Sequence, residues 1–379
     1  MDPFLARAHS QQEEMIAFIR RLVECESPSD HAPAVKRFVE LVADGFAGIA
    51  KTKTCPGGRF GPHLRCEFDS PGKKKPGQVL VLGHSDTVYP LGTLASMPFR
   101  RAEGRLWGPG VLDMKAAIAF FYFAMRSLRE LDAPAARRVV FLLNSDEEVG
   151  SESSRPLIEK EAQASAAVLV LEPATGLSGK LKTARKGVGE YRVTVRGRAA
   201  HAGLDYEKGA NAVVELARQI GRIAAFTNLE KGITVSPGII SGGTRTNVVP
   251  AEASVDVDAR ILRGRDAAAL DRRFRGLRPV DKRCSIEVRG GISRPPMERS
   301  AGVVGLFRTA QGIARELGRE LEESTSGGGS DGNFTAALGI PTLDGLGAVG
   351  EGAHSPQESI LIDRIADRTA LLARLVRAI

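Results

Sequence analysis

A histidine and an aspartate follow an apolar run in the sequence, at a spacing that suits metal chemistry. Residues 79–82 are all Val or Leu, and after Gly83 come His84 and, one residue further on, Asp86. A continuous apolar run of this length is typical of a buried parallel strand. Alternate strand residues point to one side, so His84 and Asp86 face one spot. This relation suits a metal-binding imidazole and the carboxylate that orients it; a core histidine beside a capping aspartate is the alternative.

Acidic residues follow two further apolar runs in the same way. Residues 138–144 lead into Glu147 and Glu148, and residues 167–171 lead into Glu172. Ligands of open α/β sheets bind beyond the carboxyl ends of the strands. These three strand ends therefore predict one shared site.

Two loops add further candidate ligands. Asp113 lies in the turn-rich segment 108–115, and His354 lies in the glycine-rich segment 350–355. The complete set contains two imidazoles and three carboxylates: His84, Asp113, Glu148, Glu172 and His354. Such a set, without thiolates, suits zinc, cobalt or manganese.

Five ligands exceed the needs of one tetrahedral zinc, so we expect two metal ions that share one carboxylate. Paired metals in hydrolases lie about 3.5–4 Å apart, where they polarise a carbonyl and acidify a water. Asp113 is the expected bridge, because it lies between the other strand-end groups in sequence.

Glu147 remains beside the predicted ligand Glu148. Neighbouring residues at a strand end diverge, so Glu148 can bind metal while Glu147 faces the reacting water. A carboxylate there acts as a general base and afterwards as a general acid toward the leaving amine. The alternative, an acidic surface loop, is disfavoured because the run 146–148 directly follows a buried apolar strand.

The elements that position these residues form an α/β architecture with an insert. A chain of 379 residues favours two domains. The patterns over residues 181–293 predict the order strand, helix, strand, strand, helix, strand, which is the split βαβ (ferredoxin-like) arrangement. We therefore predict a catalytic domain in two parts, 1–180 and 294–379, interrupted by an inserted domain over 181–293.

The composition excludes several functional classes. Hydrophobic residues make up 42% and charged residues 26% of the chain, as in globular proteins, and no apolar stretch could span a bilayer. The four cysteines are scattered, which disfavours disulfides and indicates a cytoplasmic protein. The net charge of +8 comes from the insert, but no nucleic-acid recognition motif accompanies it. We expect neither a nucleic-acid nor a membrane partner.

The motifs resemble one known family. Segments 83–88, 108–115, 146–151 and 171–173 look like those of the zinc-dependent exopeptidases and deacylases. That family includes glutamate carboxypeptidase, acetylornithine deacetylase and succinyl-diaminopimelate desuccinylase, and the resemblance is closest to glutamate carboxypeptidase. The markers occur in family order over nearly the whole chain. One departure is Ala116 and Ala117, where relatives carry glycine.

The resemblance implies a role for each site residue. His84 and Glu172 would bind one Zn²⁺, and Glu148 and His354 the other, with Asp113 as the bridge; Co²⁺ or Mn²⁺ could substitute. Asp86 would hold the His84 ring, and Glu147 would be the general base.

The resemblance also implies that the insert is a dimerisation domain, so we expect a homodimer. His201 would reach the partner's active site and stabilise the tetrahedral oxyanion. Asn247, Arg260 and Arg185 would contact the substrate carboxylate, and Gly328 would line the pocket within the glycine loop 326–332. A phosphate-binding loop is the alternative there, but its Gly-Lys-Ser/Thr ending is missing.

The expected function is hydrolysis of an amide beside a free carboxylate, in a small peptide or an N-acyl amino acid. The first hypothesis is a carboxypeptidase that releases glutamate, and the alternative is an N-acyl-amino-acid deacylase. A non-catalytic scaffold relative is a further alternative, which the intact ligand set and Glu147 disfavour.

Overall fold

A computed structural model describes residues 2–68, 72 and 74–379. The chain divides into two compact units. The larger unit comprises the residues up to Thr183 together with Arg299–Thr325 and Ser330–Ile379, and the smaller unit comprises Ala184–Glu298 and Ser326–Gly329. Against the insert predicted over 181–293, the smaller unit begins at Ala184 and ends at Glu298, and the glycine-rich residues 326–329, which the sequence assigned to the catalytic domain, also belong to it.

The strands and helices are as follows. The strands are β1 Lys51–Cys55, β2 His63–Phe68, β3 Gln78–His84, β4 Arg100–Ala102, β5 Arg105–Trp107, β6 Arg138–Asn144, β7 Ser165–Val170, β8 Leu181–Arg185, β9 Gly187–Arg196, β10 Thr234–Gly242, β11 Glu252–Ile261, β12 Ser285–Arg294, β13 Glu323–Ser326, β14 Thr342–Leu343, β15 Gly350–Glu351 and β16 Ser359–Leu361. The helices are α1 Pro3–Ser10, α2 Gln12–Glu24, α3 Ala32–Phe46, α4 Ala116–Glu130, α5 Arg155–Gln163, α6 Ala212–Ala224, α7 Ala267–Arg275, α8 Ala301–Glu316, α9 Gly332–Ala337 and α10 Ile365–Ala378. Within the described ranges, none of these helices has the length and apolar character needed to cross a membrane.

A six-stranded mixed sheet forms the centre of the larger unit, in the order β1-β2-β6-β3-β7-β14. Strand β3 pairs in parallel with β6 on one side and with β7 on the other, and β14 continues the parallel part. Strands β1 and β2 form the antiparallel edge. A smaller antiparallel sheet has the order β15-β16-β5-β4.

The apolar run in β3 is buried on both faces, which explains its continuous hydrophobicity. Val79 and Val81 belong to one apolar cluster with residues of α2, α4 and α10. Leu80 and Leu82 belong to a second cluster with residues of α5 and α9. Because the strand is held from both sides, its carboxyl end has a fixed position.

The smaller unit is a four-stranded antiparallel sheet with two helices. The strand order β10-β11-β9-β12 and the chain order βαββαβ are those of the ferredoxin-like arrangement. In β9, Tyr191, Val193 and Val195 are buried, whereas the residues between them are more exposed. The rings of Tyr191 and of Phe274 in α7 are stacked, with centroids 3.7 Å apart. The fold class predicted from the sequence is confirmed for both units.

Arg368 in α10 is buried and holds three backbone carbonyls of the larger unit. Its guanidinium donates to the oxygens of Gly347, Gly179 and Gly345. The Gly347 N–H in turn donates to the backbone oxygen of Glu172, at 2.9 Å. Burial lowers the pKa of Arg368 to about 10. The side chain thus stabilises the loop beside the segment that carries Glu172.

We expect Arg368→Met to destabilise the metal-free protein strongly, by about 3–5 kcal/mol, because three buried carbonyls lose their donors. The matched control is Arg377→Met at the exposed end of the same helix, for which a change within about 0.5 kcal/mol is expected. Urea unfolding followed by circular dichroism measures both. Equal effects of the two substitutions would show that the carbonyl contacts contribute little.

Candidate metal centre

The ends of three neighbouring parallel strands bring the predicted ligands of the sheet together. His84 is the last residue of β3, and Glu148 follows β6. Glu172 lies two residues after the end of β7. The parallel register fixes these ends at one edge of the sheet.

Asp113 and His354 complete two groups of ligand atoms at this edge. In the first group, His84 Nε2 lies 3.1 Å from Asp113 Oδ1 and 3.6 Å from Glu172 Oε1. In the second, His354 Nε2 lies 3.3 Å from Asp113 Oδ2 and 3.2 Å from Glu148 Oε1. All ligand atoms within each group lie within 4.8 Å of one another. Asp113 offers one oxygen to each group.

The donor set fits a pair of divalent cations. His84 Nδ1 lies 2.9 Å from the backbone oxygen of Asp86, to which it donates. The lone pair of the neutral ring is then on Nε2, which faces the carboxylates of Asp113 and Glu172. Oxygen and imidazole ligands without sulfur suit zinc, cobalt and manganese alike.

The carboxylates favour positive charge at this edge. Burial opposes a charge on His84, but Asp113 and Asp86 raise its pKa well above the usual range. Hydrogen bonds with Asp113 and Glu148 raise the pKa of His354 to about 10. Burial opposes ionisation of Asp113, yet the two histidines hold its pKa well below the usual range. In the metal-free protein each of the two imidazoles therefore carries a second ring proton, which a bound cation would replace.

Asp86 is buried and fixes the acidic loop after β6. Its carboxylate accepts hydrogen bonds from Ser29 Oγ at 2.7 Å and from the backbone N–H groups of Glu147 and Glu148 at 3.2 and 3.1 Å. Its Oδ1 is 3.6 Å from His84 Nδ1, so the ring donates its hydrogen bond to the backbone oxygen of Asp86 and not to the carboxylate. Asp86 therefore holds two segments of the centre. Glu147 follows this fixed backbone and is partly exposed.

The smaller unit brings His201 and Asn247 together. The residues around them form a bridge between His201 and Val248, and the Ala202 N–H donates to the backbone oxygen of Asn247. His201 is exposed, and its Nδ1 accepts from the backbone N–H groups of Gly203 and Leu204, both at 3.1 Å. In the neutral ring the proton is therefore on Nε2, which can donate outward.

The two arginines predicted to contact substrate already have partners within the smaller unit. Arg260 donates through Nε and one terminal nitrogen to the Asp258 carboxylate, at 2.8–3.0 Å. Arg185 is buried and donates to the backbone oxygens of Gly328 and Gly329, at 3.2 and 3.0 Å. Arg185 thus supports the glycine loop, and Arg260 presents only its remaining donors.

Sequence reasoning missed three residues around the centre of the larger unit: Ser29, Tyr89 and Glu358. Ser29 contacts Asp86, and Tyr89 donates to Glu358. Glu358 lies only four residues after His354, and its nearness to a predicted ligand was the available signal. For Ser29 the sequence offers no such signal.

Comparisons with known proteins place these observations in a wider context. The model of "Peptidase family M20/M25/M40" matches residues 80–378. Carboxypeptidase G2 of Pseudomonas sp. (strain RS-16) is 29% identical over 376 residues, which cover 97% of this chain and 90% of that protein. A succinyl-diaminopimelate desuccinylase of Cereibacter sphaeroides is 28% identical over 389 residues, which cover 96% and 98% of the two chains.

Solved structures share the fold. The aminopeptidase PepT from Bacillus cereus superposes with a TM-score of 0.80 at 22% identity, over 97% of this chain and 98% of that one. The metallo-carboxypeptidase Sso-CP2 from Sulfolobus solfataricus gives a TM-score of 0.70 at 18% identity, over 97% and 100% of the two chains. At these identities the likeness supports the fold alone.

We expect metal binding near pH 7 to release about two protons, because the raised pKa values of His84 and His354 leave both rings protonated in the metal-free protein. Zinc affinity should accordingly fall as the pH is lowered. Titration calorimetry in buffers of different ionisation enthalpy measures the proton count. In His354→Ala the number of protons released on metal binding should fall by about one. In His9→Ala, at an exposed position far from the centre in sequence, that number should not change. An unchanged number in His354→Ala would contradict the assignment.

Proposed function

The chain belongs to peptidase family M20/M25/M40, and we propose on that basis that it is a dinuclear zinc carboxypeptidase that cleaves an amide beside a free carboxylate. Membership confirms the resemblance that the motifs indicated, and the chain is a hydrolase of the metallopeptidase class. The observation that carries the proposal is the pair of ligand groups that share Asp113.

We propose that His84, Asp113 and Glu172 hold one zinc ion, and that Asp113, Glu148 and His354 hold the other. When bound, two such ions polarise the scissile carbonyl and acidify water. The two Asp113 oxygens face opposite groups, which supports its role as the bridge. Manganese or cobalt would satisfy the same ligands.

Glu147 is the proposed general base. It takes a proton from the attacking water and later transfers that proton to the nitrogen of the leaving amine. The Asp86 carboxylate accepts hydrogen bonds from the backbone N–H groups of Glu147 and Glu148. These bonds fix the backbone from which both side chains extend, which supports Glu148 as a metal ligand and Glu147 as the base.

His201 of the partner subunit is the proposed donor to the oxyanion that develops on the scissile carbonyl. The exposed ring with its proton on Nε2 supports this role. A homodimer through the insert would supply it. The edge strand β10 supports that assembly, since Ile239 and Ile240 are 67% and 63% exposed there and an unpaired edge favours strand pairing.

The substrate carboxylate is proposed to bind at Asn247 and Arg260. Asn247 is exposed beside His201. Asp258 already occupies part of the Arg260 guanidinium, so a bound carboxylate would use the remaining N–H groups or displace Asp258. Arg185, whose donors face Gly328 and Gly329, contributes through the shape of the glycine loop.

A cytoplasmic location stays a prediction.

Deacylation of an N-acyl amino acid is the second candidate. Desuccinylases match the chain at nearly the same identity as the carboxypeptidase, 28% against 29%. Both reactions hydrolyse an amide next to a carboxylate, so the metal centre alone does not separate them.

We expect Glu147→Gln to retain both metal ions and to lower kcat by about 10²–10⁴-fold, because the amide cannot accept the proton of the attacking water. Metal content by mass spectrometry and kcat on the best substrate measure the two effects. Glu152→Gln is the matched control, since Glu152 lies in the same loop but pairs with Arg59 at the surface. Full activity of Glu147→Gln would exclude it as the base.

Among small substrates, we expect a preference for peptides and acyl compounds that end in glutamate. The panel contains compounds ending in glutamate, aspartate, alanine and leucine, together with N-acetylornithine and N-succinyl-diaminopimelate. The value of kcat/KM for the zinc-loaded protein ranks them. Preference for the two acylated diamino acids would instead establish the deacylase.

A further inference from the structure

Glu358 is a carboxylate that is completely buried, at 0% exposure, in the larger unit. It belongs to none of the ligand groups, and the proposed reaction assigns it no part. An ionised carboxylate in such a position is costly unless donors surround it. The donors that it has are therefore informative.

Three of these donors are backbone N–H groups of the loop that carries Asp113. Glu358 Oε1 accepts from Leu112 at 2.8 Å and from Asp113 itself at 3.0 Å. Its Oε2 accepts from Gly110 at 3.0 Å. The Gly110 backbone has a positive φ of 72° and a Cβ there would lie 2.9 Å from Thr87, so this course of the loop requires glycine at position 110.

The fourth donor is the hydroxyl of Tyr89, which lies five residues after His84. The same hydroxyl lies 3.0 Å from the backbone oxygen of Ser355, the residue after His354. Glu358 and Tyr89 therefore connect the segments that carry His84, Asp113 and His354. These contacts involve backbone groups or side chains outside the ligand groups, and the single proton of the Tyr89 hydroxyl is shared between its two acceptors, Glu358 Oε2 and the Ser355 oxygen.

We propose that Glu358 is a positioning residue of the metal centre, which fixes the Asp113 loop against the His84 and His354 segments. Asp113 contributes an oxygen to both ligand groups, so a displaced loop weakens both metal positions together. The inference rests on the proposed two-metal centre. Charge-assisted hydrogen bonds to several backbone N–H groups give such a carboxylate a firm hold on the loop.

The substitution Glu358→Gln tests this role at constant size. In either orientation of the amide, one NH₂ group replaces an oxygen that accepts two hydrogen bonds. We expect the zinc dissociation constant to rise about 10–100-fold, as for other residues that orient metal ligands by hydrogen bonds without binding the metal themselves. Competition with a fluorescent zinc chelator measures it, and circular dichroism of the metal-free variant establishes whether it is folded.

The matched control is Glu351→Gln, seven residues before Glu358 in the chain, where the carboxylate is exposed and pairs with Arg105 at 2.8 Å. It should bind zinc as the wild type does. A folded Glu358→Gln variant with wild-type zinc affinity overturns the proposal and leaves Glu358 a packing residue.

Tyr89→Phe decides the matter if Glu358→Gln does not fold, because it removes one donor and keeps the ring. A weaker zinc affinity in Tyr89→Phe supports the positioning role, and an unchanged affinity refutes it. If the wild-type protein itself does not bind two equivalents of zinc, the proposed metal centre has failed, and that outcome is distinct from a failure of the Glu358 inference.

Discussion

Mutual repulsion between carboxylates is the constraint on which the larger unit depends. Asp86, Asp113, Glu148 and Glu172 gather at the carboxyl ends of the parallel strands of one sheet, and most of their side-chain surface is removed from water. Like charges at such distances oppose ionisation unless cations offset them. The imidazoles of His84 and His354 supply this compensation when protonated, and divalent cations supply more of it. The geometry therefore suits the binding of cations at this edge.

Backbone groups, as well as side chains, are held in place by buried ionic residues. Asp86 accepts from the N–H groups of the loop after β6, and Glu358 does the same for the loop that carries Asp113. Arg368 performs the complementary task for carbonyl oxygens near Glu172. Loops without regular hydrogen bonding thereby obtain fixed positions, because charged groups bind backbone dipoles more strongly than neutral ones do.

The sequence predicted what depends on local pattern. The run 79–82 identified a buried strand, and the structure has His84 as the last residue of that strand. The ferredoxin-like order of the insert followed from periodicity in the same way. Contacts such as that of Glu358 with Leu112 could not be predicted, because 246 residues separate the partners and only the tertiary fold joins them. The pair of Arg260 with Asp258 was predictable but overlooked, since residues two apart on a strand share a face.

The first four residues of the glycine loop, 326–329, have a consequence for how such an insert can be gained or lost in evolution. These four residues lie outside the continuous segment Ala184–Glu298, yet they belong to the same unit, where Arg185 binds their carbonyls and the Arg294 side chain lies against Gly329. A genetic deletion of 184–298 alone would strip a glycine-rich segment of the partners that order it. The smaller unit is thus not encoded by one continuous segment of the chain. Recombination that exchanges the insert between relatives must also exchange, or re-accommodate, four residues that are encoded separately, after the segment Arg299–Thr325.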